Sequence, residues 1–178
     1  MKLLQDDSLI RRAAAQDAAA FEQLMLLHQK PVYNICWRMA GNAEDALDLS
    51  QEVFLKLWRT LAQYQFDAAF STWLYRIAYN TAISHTRRRR PRTVEINDRQ
   101  YELPDDQEEI LFRETQMEYL EQALQRLAPD EKALVELFYL QKIPVHELAA
   151  VTGHTEGSIK VKLFRIRKKL AALISNRT

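Results

Sequence analysis

Apolar residues recur along this chain at three- and four-residue spacing, interrupted by proline, glycine and short polar runs, and this pattern predicts a series of amphipathic helices. Asp7 and Ser8 can cap a first helix, and a second runs from about Asp17 to His28. Pro31 is placed to open a third at its first turn, and Gly41 and Asn42 then break the chain. From Glu44 to Tyr64 one long helix is expected, with Leu47, Phe54, Leu57, Trp58 and Leu61 inward and Glu44, Asp45, Asp48, Gln51, Glu52, Lys56 and Arg59 outward. The next helix covers Phe70 to Arg90: Phe70, Trp73, Leu74, Ile77, Ala78 and Thr81 form a buried stripe, while Arg76, Tyr79, Asn80, Ile83 and Arg87 fall on another face. Pro91 to Asp106 has no sustained apolar period and reads as a linker. Beyond it, Pro129 and Asp130 open a helix through Leu140, and Pro144 opens another through about Thr152. Gly153 to Gly157 turn the chain, and Ser158 is expected to cap a long helix through Ile174.

These elements imply an all-α fold of two small helical domains joined by a flexible linker, with boundaries at residues 1–92, 93–115 and 116–178. The composition agrees, since 178 residues with only three glycines can bury real cores in mostly helical form. No window approaches the roughly 20 uninterrupted apolar residues of a spanning helix. The opening MKLLQDDSLIRR lacks a signal-peptide core, so a cytoplasmic protein is expected. Cys36 is the single cysteine, which excludes an internal disulfide and reads as a small buried apolar residue.

Charge changes the picture more by its distribution than by its sum of +1. Arg87, Arg88, Arg89, Arg90 and Arg92 form a basic run, followed by the acidic Glu102, Asp105, Asp106, Glu108 and Glu109. A second basic block comprises Lys160, Lys162, Arg165, Arg167, Lys168, Lys169 and Arg177, with no acid from Ile159 onward. In the helix from Phe70, aromatic, amide and hydroxyl groups run directly into the arginines, a combination that can stack on bases while holding phosphates. The same aromatics also suit a buried core, and this segment alone leaves both readings open. Glu44, Asp48 and Glu52 recur every fourth residue beside Asp45. Such repulsion is partly offset near a helix N-terminus, and the stripe suits either a solvated face or a docking surface for a basic partner.

The two helices after Pro144 have the spacing of a helix-turn-helix. Ala149 is small where the helices cross, Gly153 can adopt positive φ, and Ile159 plugs the second helix into the core. In a major groove that helix would bring Glu156, Ser158, Lys160, Val161 and Phe164 near base edges, and Arg165, Arg167 and Lys168 to phosphates.

Three blocks together carry a family resemblance: NAEDALDLSQEVFLKLW at 42–58, FSTWLYRIAYNTAISHTRRRR at 70–90 and LQRLAPDEKALVELFYLQKIPVHELAAVTGHTEGSIKVKLFRIRKKL at 124–170. In order and separation they resemble the sigma-70 family of RNA polymerase sigma factors, in its small two-domain extracytoplasmic-function (ECF) class. The resemblance implies a region 2-like first domain that binds core RNA polymerase and reads the −10 element, and a region 4-like second domain that reads the −35 element. It matches Asp45, Asp48, Gln51, Glu52 and Leu55 to the polymerase-docking region, and Trp73, Tyr75 and Arg76 to the region that helps open the duplex. It places Asn80, beside Tyr79, where an unstacked promoter base is read, with Arg87 and Arg88 beginning the run that holds the upstream backbone. The linker resembles the segment that threads through the polymerase interior, and an anti-sigma factor is the regulator the family implies. Two positions depart from the family pattern. Val161 replaces a small hydroxyl residue common there, and Lys160 stands where arginine is frequent, losing its bidentate fork. The four-arginine run is also denser than usual.

An enzyme is not expected. His28, His85, His146 and His154 are scattered, the cysteine has no metal-ligand spacing around it, and no phosphate-cradling glycine loop occurs, so no cofactor or metal is expected. Asp105, Asp106, Glu108 and Glu109 read as a solvated linker rather than a Mg²⁺ site. A helix-turn-helix regulator acting without polymerase would leave the acidic stripe and the aromatic helix unused. A docking adaptor that never touches DNA would have no need of Asn80 or Lys160.

Overall fold

The computed structural model of the chain describes residues 7–89 and 117–175. The expected linker and its acidic run, together with Arg90 and Arg92, lie outside the described residues. Helices α1 (Asp7–Ala14), α2 (Ala18–Ala40), α3 (Ala43–Thr60) and α4 (Phe70–Arg89) make the first unit. Helices α5 (Met117–Gln125), α6 (Pro129–Val135), α7 (Val145–Thr152) and α8 (Glu156–Ser175) make the second. A 3₁₀ turn at Leu61–Gln63 follows α3, and a π-helical turn at Glu136–Leu140 extends α6. Among the described residues there is no strand, as the all-α expectation requires.

Local chemistry sets the boundaries. Asp17 caps α2 by accepting the Ala20 amide at 3.1 Å and also holds Arg12 at 2.7 Å, which ties α1 to the start of α2. The Ala20 amide first, and then Arg12, keep the Asp17 carboxyl below its ordinary pKa. At the other end of α2, Gly41 takes φ +81° and donates its amide to the Trp37 carbonyl at 2.9 Å. Asn42 immediately caps α3, accepting the Asp45 amide at 2.9 Å, so α2 and α3 are joined by two residues.

Pro31 does not open a helix; α2 runs through it for 23 residues. The missing proline N–H leaves one rung of the ladder unmade. Burial of Leu24 on one side and Val32 and Ile35 on the other carries the helix across that gap. The long helix expected to Tyr64 ends as α helix at Thr60 and continues only as the 3₁₀ turn. Leu47 is 53% exposed rather than inward. The buried face of α3 is Ala46, Leu49, Ser50, Val53, Phe54 and Leu57, and Leu47 lies on its shoulder.

Leu24, Val32, Ile35, Cys36, Val53, Leu57, Leu61, Phe70, Leu74 and Ala78 fill the core between α2, α3 and α4. Burial pushes the Cys36 thiol up to about 11. Leu134, Leu137, Leu148, Val151, Ile159, Leu163 and Ile166 fill the core of the second unit. The units also pack on each other, α4 against α7 and α2 against α6. Arg38, in the last turn of α2, reaches Glu136 at 3.3 Å and Glu121 at 3.3 Å. Glu136 is 1% exposed, and its other oxygen accepts from Gln141 at 3.0 Å. Both carboxylate oxygens therefore have donors, as a buried charge requires.

Candidate functional site

Three surfaces stand out. On α3, Glu44, Asp48 and Glu52 form one exposed row at four-residue spacing. The adjoining row is Leu47, Gln51 and Leu55, with Leu47 53% and Leu55 56% exposed. Glu52 is joined to Lys56 at 2.6 Å, and Asp45 is drawn into the Asn42 cap by a second contact at 2.6 Å. The fold thus sets an apolar row against an acidic one. That pairing suits an amphipathic partner with basic residues beside apolar ones. Gln51 and Leu55 of this row belong to the expected docking set, whereas Leu47, expected in the core, joins it only in the structure.

The α4 surface is divided lengthwise. Phe70, Leu74, Ala78 and Thr81 face α2 and α3; Phe70 meets the His28 ring at 5.3 Å and Thr81 accepts from Lys56 at 3.1 Å. Burial lowers the pKa of His28. Thr72 lies nearly opposite and donates to the Glu147 carboxylate of α7. Tyr75 and Tyr79 share that edge at three and seven residues from Thr72. Each is only 5% exposed, and burial pushes both phenols up to about 12, with Glu136 contributing at Tyr75 and Asp130 at Tyr79. Between the two buried edges runs an exposed strip of Arg76, Asn80, Ser84, Arg87 and Arg88. From Arg76 to Arg87 it extends about 16 Å along the helix. Trp73 is half-buried at its head and packs on Tyr64 with ring centroids 5.3 Å apart. The expected site residues on α4 therefore separate. Arg76, Asn80, Arg87 and Arg88 are open, while Tyr75 and Tyr79 are buried on a helix against which α6 and α7 also pack.

On the second unit, α7 ends at Gly153, whose φ of +75° and amide bond to the Ala149 carbonyl at 2.9 Å make the expected turn. Pro144 precedes α7 as its cap residue rather than starting it. The cap of α8 is Thr155, not Ser158: the Ser158 amide donates to Thr155 Oγ1 at 3.2 Å, and Ser158 sits within the first turn. Gly157 likewise belongs to α8. A threonine two residues after the glycine was the available signal. Ile159 is fully buried, which aims Glu156 and Lys160 outward as exposed side chains, with Val161, Phe164 and Arg165 partly exposed and Arg167 and Lys168 exposed. Lys169 is tied back to Glu131 at 2.7 Å. The outer side of α8 is thus a basic ridge on a helix anchored through its inner face.

Among the described residues no group of three or more His, Cys, Asp or Glu side chains could hold a metal ion, and no helix is long and apolar enough to cross a membrane.

Residues 24–92 match the family model for Sigma-70 region 2, and residues 117–170 match that for Sigma-70, region 4. The chain is 30% identical over 177 residues to the RNA polymerase sigma-H factor of Pseudomonas aeruginosa, covering 93% of this chain and 92% of that protein. It is 28% identical to the ECF RNA polymerase sigma-E factor of Escherichia coli K12, covering 94% and 93%. Among solved structures, CnrH in complex with the cytosolic domain of CnrY has a similar fold, with a TM-score of 0.71 at 22% identity over 97% of this chain and 99% of that one. So does the sigma factor RpoE bound to the anti-sigma factor NepR from Bartonella quintana, at TM-score 0.65 and 22% identity over 87% and 96%. With both regions matched in order and relatives covered over nearly their whole length, this chain belongs to the sigma-70 family, in the ECF class of RNA polymerase sigma factors.

Proposed function

We propose that this protein directs promoter-specific transcription initiation: it docks on core RNA polymerase through α3, reads and helps open the −10 element through α4, and reads the −35 element through α8. The observation that carries this reading is the separation of three surfaces of different chemistry on one chain. An acidic row beside exposed leucines would repel DNA and attract a basic protein surface. The strip of Arg76, Asn80, Ser84 and Arg87 offers amide and guanidinium groups to an unstacked strand, with the Trp73 ring at its end. The α8 ridge is basic, firmly anchored and shaped for a major groove.

In this reading Asp45, Asp48, Gln51, Glu52 and Leu55 contact the polymerase, joined by Leu47. Trp73, Arg76, Asn80, Arg87 and Arg88 contact the −10 region, with Tyr75 and Tyr79 available once their edge is uncovered. Glu156, Ser158, Lys160, Val161, Phe164, Arg165 and Arg167 face the −35 region. The domain boundaries at 92 and 116 follow the same division. An anti-sigma factor is the proposed regulator, supported by the fold shared with the RpoE–NepR complex. The action is binding and strand opening without bond-making chemistry, in a protein working where the polymerase works, in the cytoplasm.

Run-off transcription with purified core polymerase on fragmented genomic DNA tests this directly. Discrete new start sites sharing two upstream motifs are expected when the protein is added. No new starts, together with sequence-specific DNA binding by the protein alone, would overturn it. Charge reversal of Asp48 and Glu52 to lysine should abolish polymerase capture while leaving the helical spectrum unchanged, because both side chains are exposed.

A further inference from the structure

We propose that Glu156 selects a cytosine in the −35 element, and that Lys160, one turn further along the same row of α8, selects a guanine near it. The proposal rests on the −35 reading of α8 given above and adds the base chemistry to it.

Helix α8 carries six cations and one acid, Glu156, in its first turn. A carboxylate suits the positive end of a helix dipole. It does not suit a phosphate strand, which would repel it, so on a surface that approaches DNA it needs a hydrogen-bond donor away from the backbone. The floor of the major groove offers two, the exocyclic amines of cytosine and adenine. An ionised carboxylate only accepts, and beside the adenine amine lies the N7 acceptor, which it would repel. Cytosine presents its amine with no ring acceptor on that edge.

Position supports the same assignment. Ile159 is fully buried, and at about 100° per residue it divides α8 into two flanks. On one, Lys162 meets the His154 ring at 3.0 Å and Lys169 meets Glu131 at 2.7 Å. On the other, Glu156 and Lys160 are exposed and have no hydrogen-bond or ion-pair partner among the described residues. Helix α3 shows the alternative, since Glu52 and Lys56 have the same four-residue spacing and close on each other at 2.6 Å. Glu156 and Lys160 instead stand open, an acceptor and a donor about 6 Å apart along the helix axis. Neither has to break a contact to enter a groove. Base pairs stack at about 3.4 Å, so the two side chains meet pairs one or two steps apart. The turn that carries them is fixed from within: Thr155 accepts the Ser158 amide through its hydroxyl at 3.2 Å and the Ile159 amide through its carbonyl at 3.0 Å.

The test binds the full chain on core RNA polymerase to a duplex library randomised across the promoter region, and sequences the DNA that is retained. Wild-type protein should give one −35 position at which cytosine is favoured about tenfold over each other base. Glu156→Gln supplies an amide that pairs with both N6 and N7 of adenine, and should move the preference at that position alone to adenine. Glu156→Ala should leave the position indifferent, while binding to unselected duplex rises because a negative charge has gone. Lys160→Ala should erase a guanine preference within about two base pairs of that cytosine. Both Glu156 variants replace an exposed side chain, so the fold is kept. A selected motif that both variants leave unchanged, or a Glu156-dependent position that favours a base other than cytosine, would overturn the proposal and leave the sigma-factor reading intact. Glu156→Ala weakening every sequence by one common factor would do the same and reduce Glu156 to support for the helix start. No enriched motif at all would overturn the promoter reading and this proposal together.

Discussion

Helices α4 and α8 are both twenty residues long, both carry exposed basic residues and both sit against an apolar core, yet only one presents its whole outer surface. Ile159, Leu163 and Ile166 anchor α8 along a single buried face, so its opposite side is free. Helix α4 is buried along two nearly opposite edges, one on α2 and α3 and the other beneath α7, leaving a narrow exposed strip. A helix that reads an intact duplex needs only a rigid ridge. One that reads an opened strand benefits from aromatic surface, and aromatic surface left in water in the free protein invites a cover. The comparison teaches that the two proposed reading heads of this protein differ in readiness rather than in charge.

The sharpest way to break that comparison is to unseat α8. Ile159→Ala removes a fully buried branched side chain and should cost about 2 to 5 kcal/mol in the second unit. Denaturant unfolding followed separately by labels in each unit checks this, and a loss shared equally by both units would mean that they unfold as one. Next comes Lys160→Ala, expected to cost about 1 to 3 kcal/mol of discrimination at one base pair if the side chain reads a base. Band-shift competition in which every sequence weakened equally would place Lys160 on the backbone instead. Asn80→Ala, at an exposed position, should change stability by less than about 0.5 kcal/mol and still reduce strand opening at one promoter position. An unchanged permanganate footprint would remove Asn80 from the reading strip.

The smallest effect concerns pH. Tyr75 and Tyr79 are held near 12, above the ordinary value of 10.0, chiefly because burial disfavours the phenolate. Their burial contributes stability that is complete below pH about 10 and is lost as pH rises from there toward 12, since the unfolded state then releases protons that the folded state retains. Phenolate absorbance should show a late-titrating group of tyrosines in the wild-type protein and an earlier one in Arg38→Glu. Identical curves would mean that the tyrosines are buried within the first unit alone.

Helix periodicity made much of the fold legible in the sequence, because Phe54, Leu57 and Leu61, or Phe70, Leu74 and Ala78, recur at helical spacing and are buried. The misreadings fall where spacing alone does not decide. Leu47 resembles a core residue by its seven-residue spacing to Phe54, but a helix drifts by about 20° over that interval and Leu47 ends on the shoulder. Pro31 looks like a helix start because its local cost is real; burial on both sides of it outweighs that cost, and a single-sequence pattern does not weigh the two. Ser158 and Thr155 are both capping residues by type, and only the hydrogen bond to Oγ1 distinguishes them. The site residues were legible as chemistry and not as access. Nothing in the spacing of Tyr75 and Tyr79 announces a carboxylate more than fifty positions away in the chain, whereas Arg76 and Asn80 are exposed as their face implied.

Helix α2 packs on α1, α3 and α4 and also on α6, and its final turn carries the arginine that reaches the second unit. It therefore belongs to both halves at once, like a common shaft. Exchanging one half of this protein for that of a relative would preserve each half's own core and still mismatch the shaft. Chimeras built at the linker should function only when the last turn of α2 and the α6 surface it meets are taken from the same parent, which makes the inheritable unit larger than either domain.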